Sequence, residues 1–268
     1  MALPDSAPAR LDVDPLVFEV GCLCTGYVAA WMVVQGAGAL MPGLLSGGAL
    51  YILGPVQVGL AAAAYAGLVA VSGPRLPGLP VRPRATESGP GGAQEATAQE
   101  AAADDGARAP RAAPVPASLG LWLVHVLAAV AGSVVLGWLL EALGAPVHEQ
   151  AGVLELVGDG TLTTPLVMLM VGAVVLAPMA EEWAYRGLLF RRLWHRVGPW
   201  VAWGAPALLF AGSHFNPSGL LIYAWLGLVF ANAYRMTGRI GVAVGVHAAN
   251  NALTLAYLMV SASMGLTP

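Results

Sequence analysis

A succession of long, sparsely charged apolar runs constrains this chain more than any other feature. A bilayer span needs about 20 predominantly apolar residues, and seven segments approach that length: residues 16–40, 44–71, 119–143, 165–190, 199–215, 219–234 and 240–261. The runs are too long for core strands and too weakly periodic for surface helices. Composition agrees, with 57% hydrophobic and 10% charged residues, where soluble domains carry roughly 45–50% and about 25%. An ordinary soluble fold is excluded. The expected class is all-α: a polytopic transmembrane helical bundle of about seven spans. The first run is expected to be retained, because the residues before it carry more acid than base and Glu19 interrupts it. Cys22 and Cys24, the only cysteines, are too close in sequence to bridge well and too few for a zinc site, so they read as packing residues.

Residues 73–118 are rich in Pro, Ala, Gly and charged residues, with almost no large apolar side chain. Such a stretch cannot bury enough surface to offset the entropy of ordering. It reads as a disordered cytosolic linker between an N-terminal transmembrane hairpin, residues 1–72, and a five-span unit, residues 119–268.

Orientation follows from arginine, which supplies all twelve basic residues. Positive charge is retained on the cytosolic side of short loops. Arg10, the linker arginines, Arg191, Arg192 and Arg196, and Arg235 with Arg239 all fall on one side of a seven-span arrangement, and the opposite loops carry none. The N-terminus is expected inside and the C-terminus outside. No basic cluster suggests a nucleic-acid partner. Membrane lipids are the expected surroundings. The lysine-free, Ala-, Gly- and Arg-rich composition resembles that of a high-GC bacterium, which points to the plasma membrane.

Ionisable side chains inside spans are costly and are functional candidates by default. Here they cluster. The fourth span carries Glu181, Glu182 and Arg186; the fifth ends at His214; the seventh carries His247, Asn250 and Asn251. Glu182 and Arg186 are four apart and share a helix face, whereas Glu181 is turned about 100° away. Pairing of Glu182 with Arg186 would leave Glu181 less compensated and able to hold or activate water. Pro178 removes a helical N–H just before the acids, which predicts a bend or widened turn there. Phe210 lies one turn before His214, so its ring can pack beneath the imidazole. His247 and Asn251 again share a face. His125, without a polar partner at helical spacing, reads as a structural histidine.

These residues carry a family resemblance. Glu181-Glu182-Trp183-Ala184-Tyr185-Arg186 matches EExxxR, Phe210 to His214 matches FxxxH, and His247 to Asn251 matches HxxxN. In order and spacing, this resembles the CAAX-protease and bacteriocin-processing family, in particular its type II CAAX prenyl endopeptidases. The similarity covers about residues 165–261. It implies an intramembrane glutamic endopeptidase in which Glu181 and His214 activate water. His247 and Asn251 would stabilise the oxyanion, with Glu182, Arg186 and Phe210 in support. The substrate would be a membrane-associated peptide or protein. No cofactor is required on that reading, although Glu181, His214 and His247 also form a possible zinc-ligand set. Two other functions fit the same residues. One is a noncatalytic membrane scaffold or immunity protein of the family; the other is a proton-coupled transporter using Glu181 and the histidines as a relay.

Overall fold

A computed structural model describes residues 15–41, 49–72 and 115–266. Eight helices lie among them: α1 (Pro15–Leu40), α2 (Ala49–Ser72), α3 (Val115–Ala142), α4 (Ala151–Val157), α5 (Thr164–Arg196), α6 (Pro199–Ser213), α7 (Leu220–Thr237) and α8 (Ile240–Ser263). No strand occurs among the described residues. Five helices, α1, α2, α3, α5 and α8, are long and apolar enough to cross a membrane.

The distribution of side chains is that of a lipid-solvated bundle. Large apolar residues face outward, with Trp138 75% and Val134 66% exposed, while Glu19, Glu182 and Arg186 are fully buried. In lipid the apolar face needs no cover, and polar groups are driven inward to find partners.

Two apolar clusters fill the interior. The larger draws Tyr65 from α2, Val126 from α3, Leu189 from α5, Phe210 from α6, Phe230 from α7 and Val246 from α8. The smaller closes the other end of the bundle, where Val157 of α4 packs with Leu166 and Leu169 of α5 and Leu255 and Leu258 of α8. The sequence reading treats 144–164 as a loop; its central seven residues form α4 because Val157 and its neighbours can cover that end.

The main departure from the expected spans is in α5, which runs on past residue 190 to Arg196. Arg192 and Arg196, expected in a cytosolic loop, stay helical because both pair with Glu19 of α1. Arg192 Nε lies 2.8 Å and Arg196 Nη1 2.8 Å from its carboxylate oxygens. The Tyr65 hydroxyl of α2 donates to the same carboxylate. One buried acid thereby fastens α1, α2 and the end of α5 together, a consequence that its interruption of an apolar run did not reveal. At the other boundary, α3 begins at Val115, inside the range expected for the linker; residues 73–114 and the expected loop at 42–43 lie outside the described residues.

Helix α2 also crosses the first half of α5 at close range. A Cβ at Gly172 would strike the backbone carbonyl of Tyr51, a neighbour that cannot rotate away. Gly172→Ala should therefore lower stability by about 1–3 kcal/mol, the usual cost of overpacking, as read from denaturation in detergent. Unchanged stability would show that the α2–α5 crossing can relax.

Candidate active site

The site is built around an irregular stretch of α5. A proline inside a helix clashes with the carbonyl four residues before it, and the turn ahead of Pro178 is relieved by widening. Residues Gly172–Leu176 are π-helical, followed by a short α-turn, Ala177–Glu182, and a second π-helical stretch, Trp183–Phe190. The widened turn expected from Pro178 is present. Such π-turns rotate the side chains that follow and recur at functional sites.

Glu182 and Arg186 form the expected pair, with Nη1 donating to Oε1 at 2.9 Å and both side chains fully buried. The second guanidinium nitrogen donates to the Gly227 carbonyl of α7 at 2.7 Å. The rings of Tyr185, Phe210 and Phe230 surround the cation at 5.2–5.8 Å. Helix α8 enters through His247, whose Nδ1 is 3.0 Å from the same Glu182 oxygen. Its imidazole stacks on Phe230 at 4.5 Å and meets Phe210 edge-on. Glu182 is thus more than the partner of Arg186. With Nδ1–H donated to the carboxylate, the Nε2 edge of His247 is the one left for other work.

Glu181 is left apart from this network, as the helix geometry requires. Its Oε2 is buried without a hydrogen-bond partner. His214 caps the end of α6, and its Nδ1 is 2.8 Å from the Phe210 carbonyl. A carbonyl can only accept, so Nδ1 carries the hydrogen, and in the neutral ring Nε2 is the nitrogen with the lone pair. The ring packs on Phe210 at 4.6 Å, as the spacing suggests, and on Tyr223 of α7 at 4.1 Å, nearly parallel. His214 lies within electrostatic reach of both Glu181 and His247. Tyr223 is a site residue that sequence reasoning missed, since nothing in its apolar surroundings marks it. Gln150, just before α4, donates to its hydroxyl at 3.4 Å.

Depth brings these groups together. Glu181 lies fifteen residues before Arg196, and His214 fifteen after Pro199, so the two are equally far along the chain from the turn joining α5 and α6, about 22 Å for α-helical His214. Had α5 ended at residue 190, the two would be out of step. The turn itself, at Val197 and Gly198, uses a φ of +122° at Gly198, open to glycine at little cost. Helix α8 starts deeper: Ile240 lies against Gly187 of α5, and seven residues on, His247 reaches the level of Glu182.

Asn251 is engaged by the backbone of α5. Its Nδ2 donates to the Ala173 carbonyl at 2.8 Å, and Asn250 donates to its Oδ1 at 3.4 Å. Among the described residues, no group of three His, Cys, Asp or Glu side chains is placed to hold a metal ion. His125 bonds Asn232 of α7 at 3.1 Å, away from the site.

All three motifs lie within residues 163–253, which match the family model of Rce1-like type II CAAX prenyl endopeptidases. That segment is similar to the Rce1-like endopeptidases. The match, consistent with the CAAX-protease and bacteriocin-processing family, begins at the cap of α5 and ends within α8, leaving α1 to α4 outside it. Neither a curated protein nor a solved structure matches the chain.

Removing the Glu182 charge strands a buried guanidinium. Glu182→Gln should destabilise the protein by about 3–5 kcal/mol, and adding Arg186→Met should recover part of that loss. A double-mutant cycle in thermal or denaturant unfolding measures the coupling, expected at about 1–3 kcal/mol; zero coupling would remove the ion pair from the account.

Proposed function

We propose that the chain is an intramembrane endopeptidase that hydrolyses a peptide bond of a membrane-associated peptide or protein with water activated by Glu181 and His214. The observation that carries this reading is the unpartnered, buried carboxylate oxygen of Glu181 within electrostatic reach of an imidazole whose Nδ1–H is already donated. A water held between Glu181 and Nε2 of His214 has a base on each side. Glu181 takes its proton as the oxygen adds to the scissile carbonyl. The proton then passes to the departing amine as the C–N bond breaks, and the products are a carboxylate and a free amine. Low dielectric around the site strengthens each of these interactions.

His247 is the oxyanion donor in this scheme. That role needs a hydrogen on both ring nitrogens, one donated to Glu182 and the other turned toward the growing charge. The chemistry is metal-free in this proposal.

The match to type II CAAX prenyl endopeptidases favours a substrate delivered from the membrane. The outward apolar faces of the helices favour the same. In this reading α6 and α7 also cross the bilayer, giving seven spans with the N-terminus in and the C-terminus out, in a bacterial plasma membrane.

Purified wild-type protein in lipid should cleave members of a labelled, membrane-anchored peptide library, with or without chelator and without stoichiometric zinc by elemental analysis. Glu181→Gln should abolish cleavage and leave thermal stability nearly unchanged, since the amide is isosteric but cannot take the proton. Cleavage by Glu181→Gln would sink the mechanism, and reversible loss of activity to chelator would replace it with a metal one. For topology, after Cys22→Ala and Cys24→Ala, a cysteine placed at Val197 should label only from the cytosol and one at Thr161 only from outside. Labelling of both from one side would overturn the span count between them.

A further inference from the structure

The hydrogen bond from Asn251 to Ala173 falls at a place where the backbone is short of a donor. In the π-helical turn ahead of the acids, the Ala177 N–H reaches back five residues to the Gly172 carbonyl. The next bond in that register would run from residue 178 to the carbonyl of Ala173. Residue 178 is proline and has no N–H to give. The Ala173 carbonyl instead receives the Asn251 side-chain N–H at 2.8 Å, and the bond from Asn250 to Oδ1 turns the amide so that Nδ2 faces it.

We infer that Asn251 is a positioning residue: its side chain replaces the backbone donor that Pro178 lacks and so holds open the widened turn that aims Glu181. A carbonyl without a donor in a dry bundle is costly, and the turn can shed that cost by rewinding, which would rotate every side chain after it. Glu181 is three residues beyond Pro178 and would be among the first to move. Asn251 thereby acts on the water-activating group through the backbone of α5, from a different helix. The role rests on the proposed peptidase function for its catalytic consequence, but not for its structural one.

The two roles open to Asn251 are separated by giving residue 178 its N–H back. Asn251→Ala should lower Tm by roughly 2–12 °C in detergent, the range for one unsatisfied buried polar group in a chain of this size. It should also lower kcat more than KM. In a Pro178→Ala background the backbone can serve Ala173 itself. There the Asn251→Ala shift in Tm should shrink to less than half, and the double variant should regain most of the kcat lost by Asn251→Ala alone. His247→Ala, which acts on the oxyanion, should gain nothing from Pro178→Ala. If Asn251→Ala alone cannot be recovered folded, recovery of the double variant counts as the same rescue. An equal Tm penalty in both backgrounds, or a kcat defect that Pro178→Ala leaves untouched, would overturn the inference and return Asn251 to direct contact with the substrate. Should the wild type cleave nothing, the peptidase reading fails while the Tm cycle still decides the role of Asn251.

Discussion

One carboxylate oxygen organises the centre of this protein. Glu182 Oε1 receives both Arg186 of its own helix and His247 of α8, and Arg186 passes the connection on to the α7 backbone at Gly227. Three helices are fixed in rotation by groups that have no alternative partner in lipid. Glu181 and Glu182 each keep one buried carboxylate oxygen without a hydrogen-bond partner, but only Glu182 has its other oxygen held by Arg186 and His247. Two adjacent, chemically identical side chains are given different surroundings by the 100° turn of the helix between them.

A second buried acid does for the fold what Glu182 does for the site. Glu19 gathers Tyr65, Arg192 and Arg196 and so fixes α1 and α2 to the end of α5. Keeping Arg192 and Arg196 helical also lengthens α5 so that Glu181 and His214 are each fifteen residues from the helix ends that flank the α5–α6 turn. The N-terminal helices lie outside the segment that matches the family model, yet they supply a contact that sets how far α5 extends beyond Glu181. Gly172, tight against Tyr51, and Ala173, the acceptor for Asn251, lie in the same turn of α5. The π-helical turn is therefore held from α2 on one side and α8 on the other.

What the sequence made legible was local. The pairing of Glu182 with Arg186, the separation of Glu181, the widened turn before Pro178 and the stacking of Phe210 on His214 all follow from spacing within a single helix. Apolar runs marked the helices, since lipid demands them. The bond between Glu182 and His247 was hidden because it depends on the rotation of one helix against another. The extension of α5 was hidden because arginines read as loop residues until their buried partner, a lone acid in a distant run, is seen. The partner of Asn251 is a backbone carbonyl, and a π-helical register leaves no pattern of residue types beyond the proline that provokes it. Tyr223 and the short helix α4 gave no signal stronger than ordinary apolar packing.

The central claim is that water attacks the peptide bond directly, with Glu181 as its base and no bond formed to the enzyme. Quenching the wild-type protein during turnover of a membrane-anchored peptide in oxygen-18 water, followed by mass spectrometry of product and intact protein, tests it most directly. One oxygen-18 in the new carboxylate and an unmodified protein mass are expected. A peptide adduct on the chain, above all on Glu181, would contradict the account.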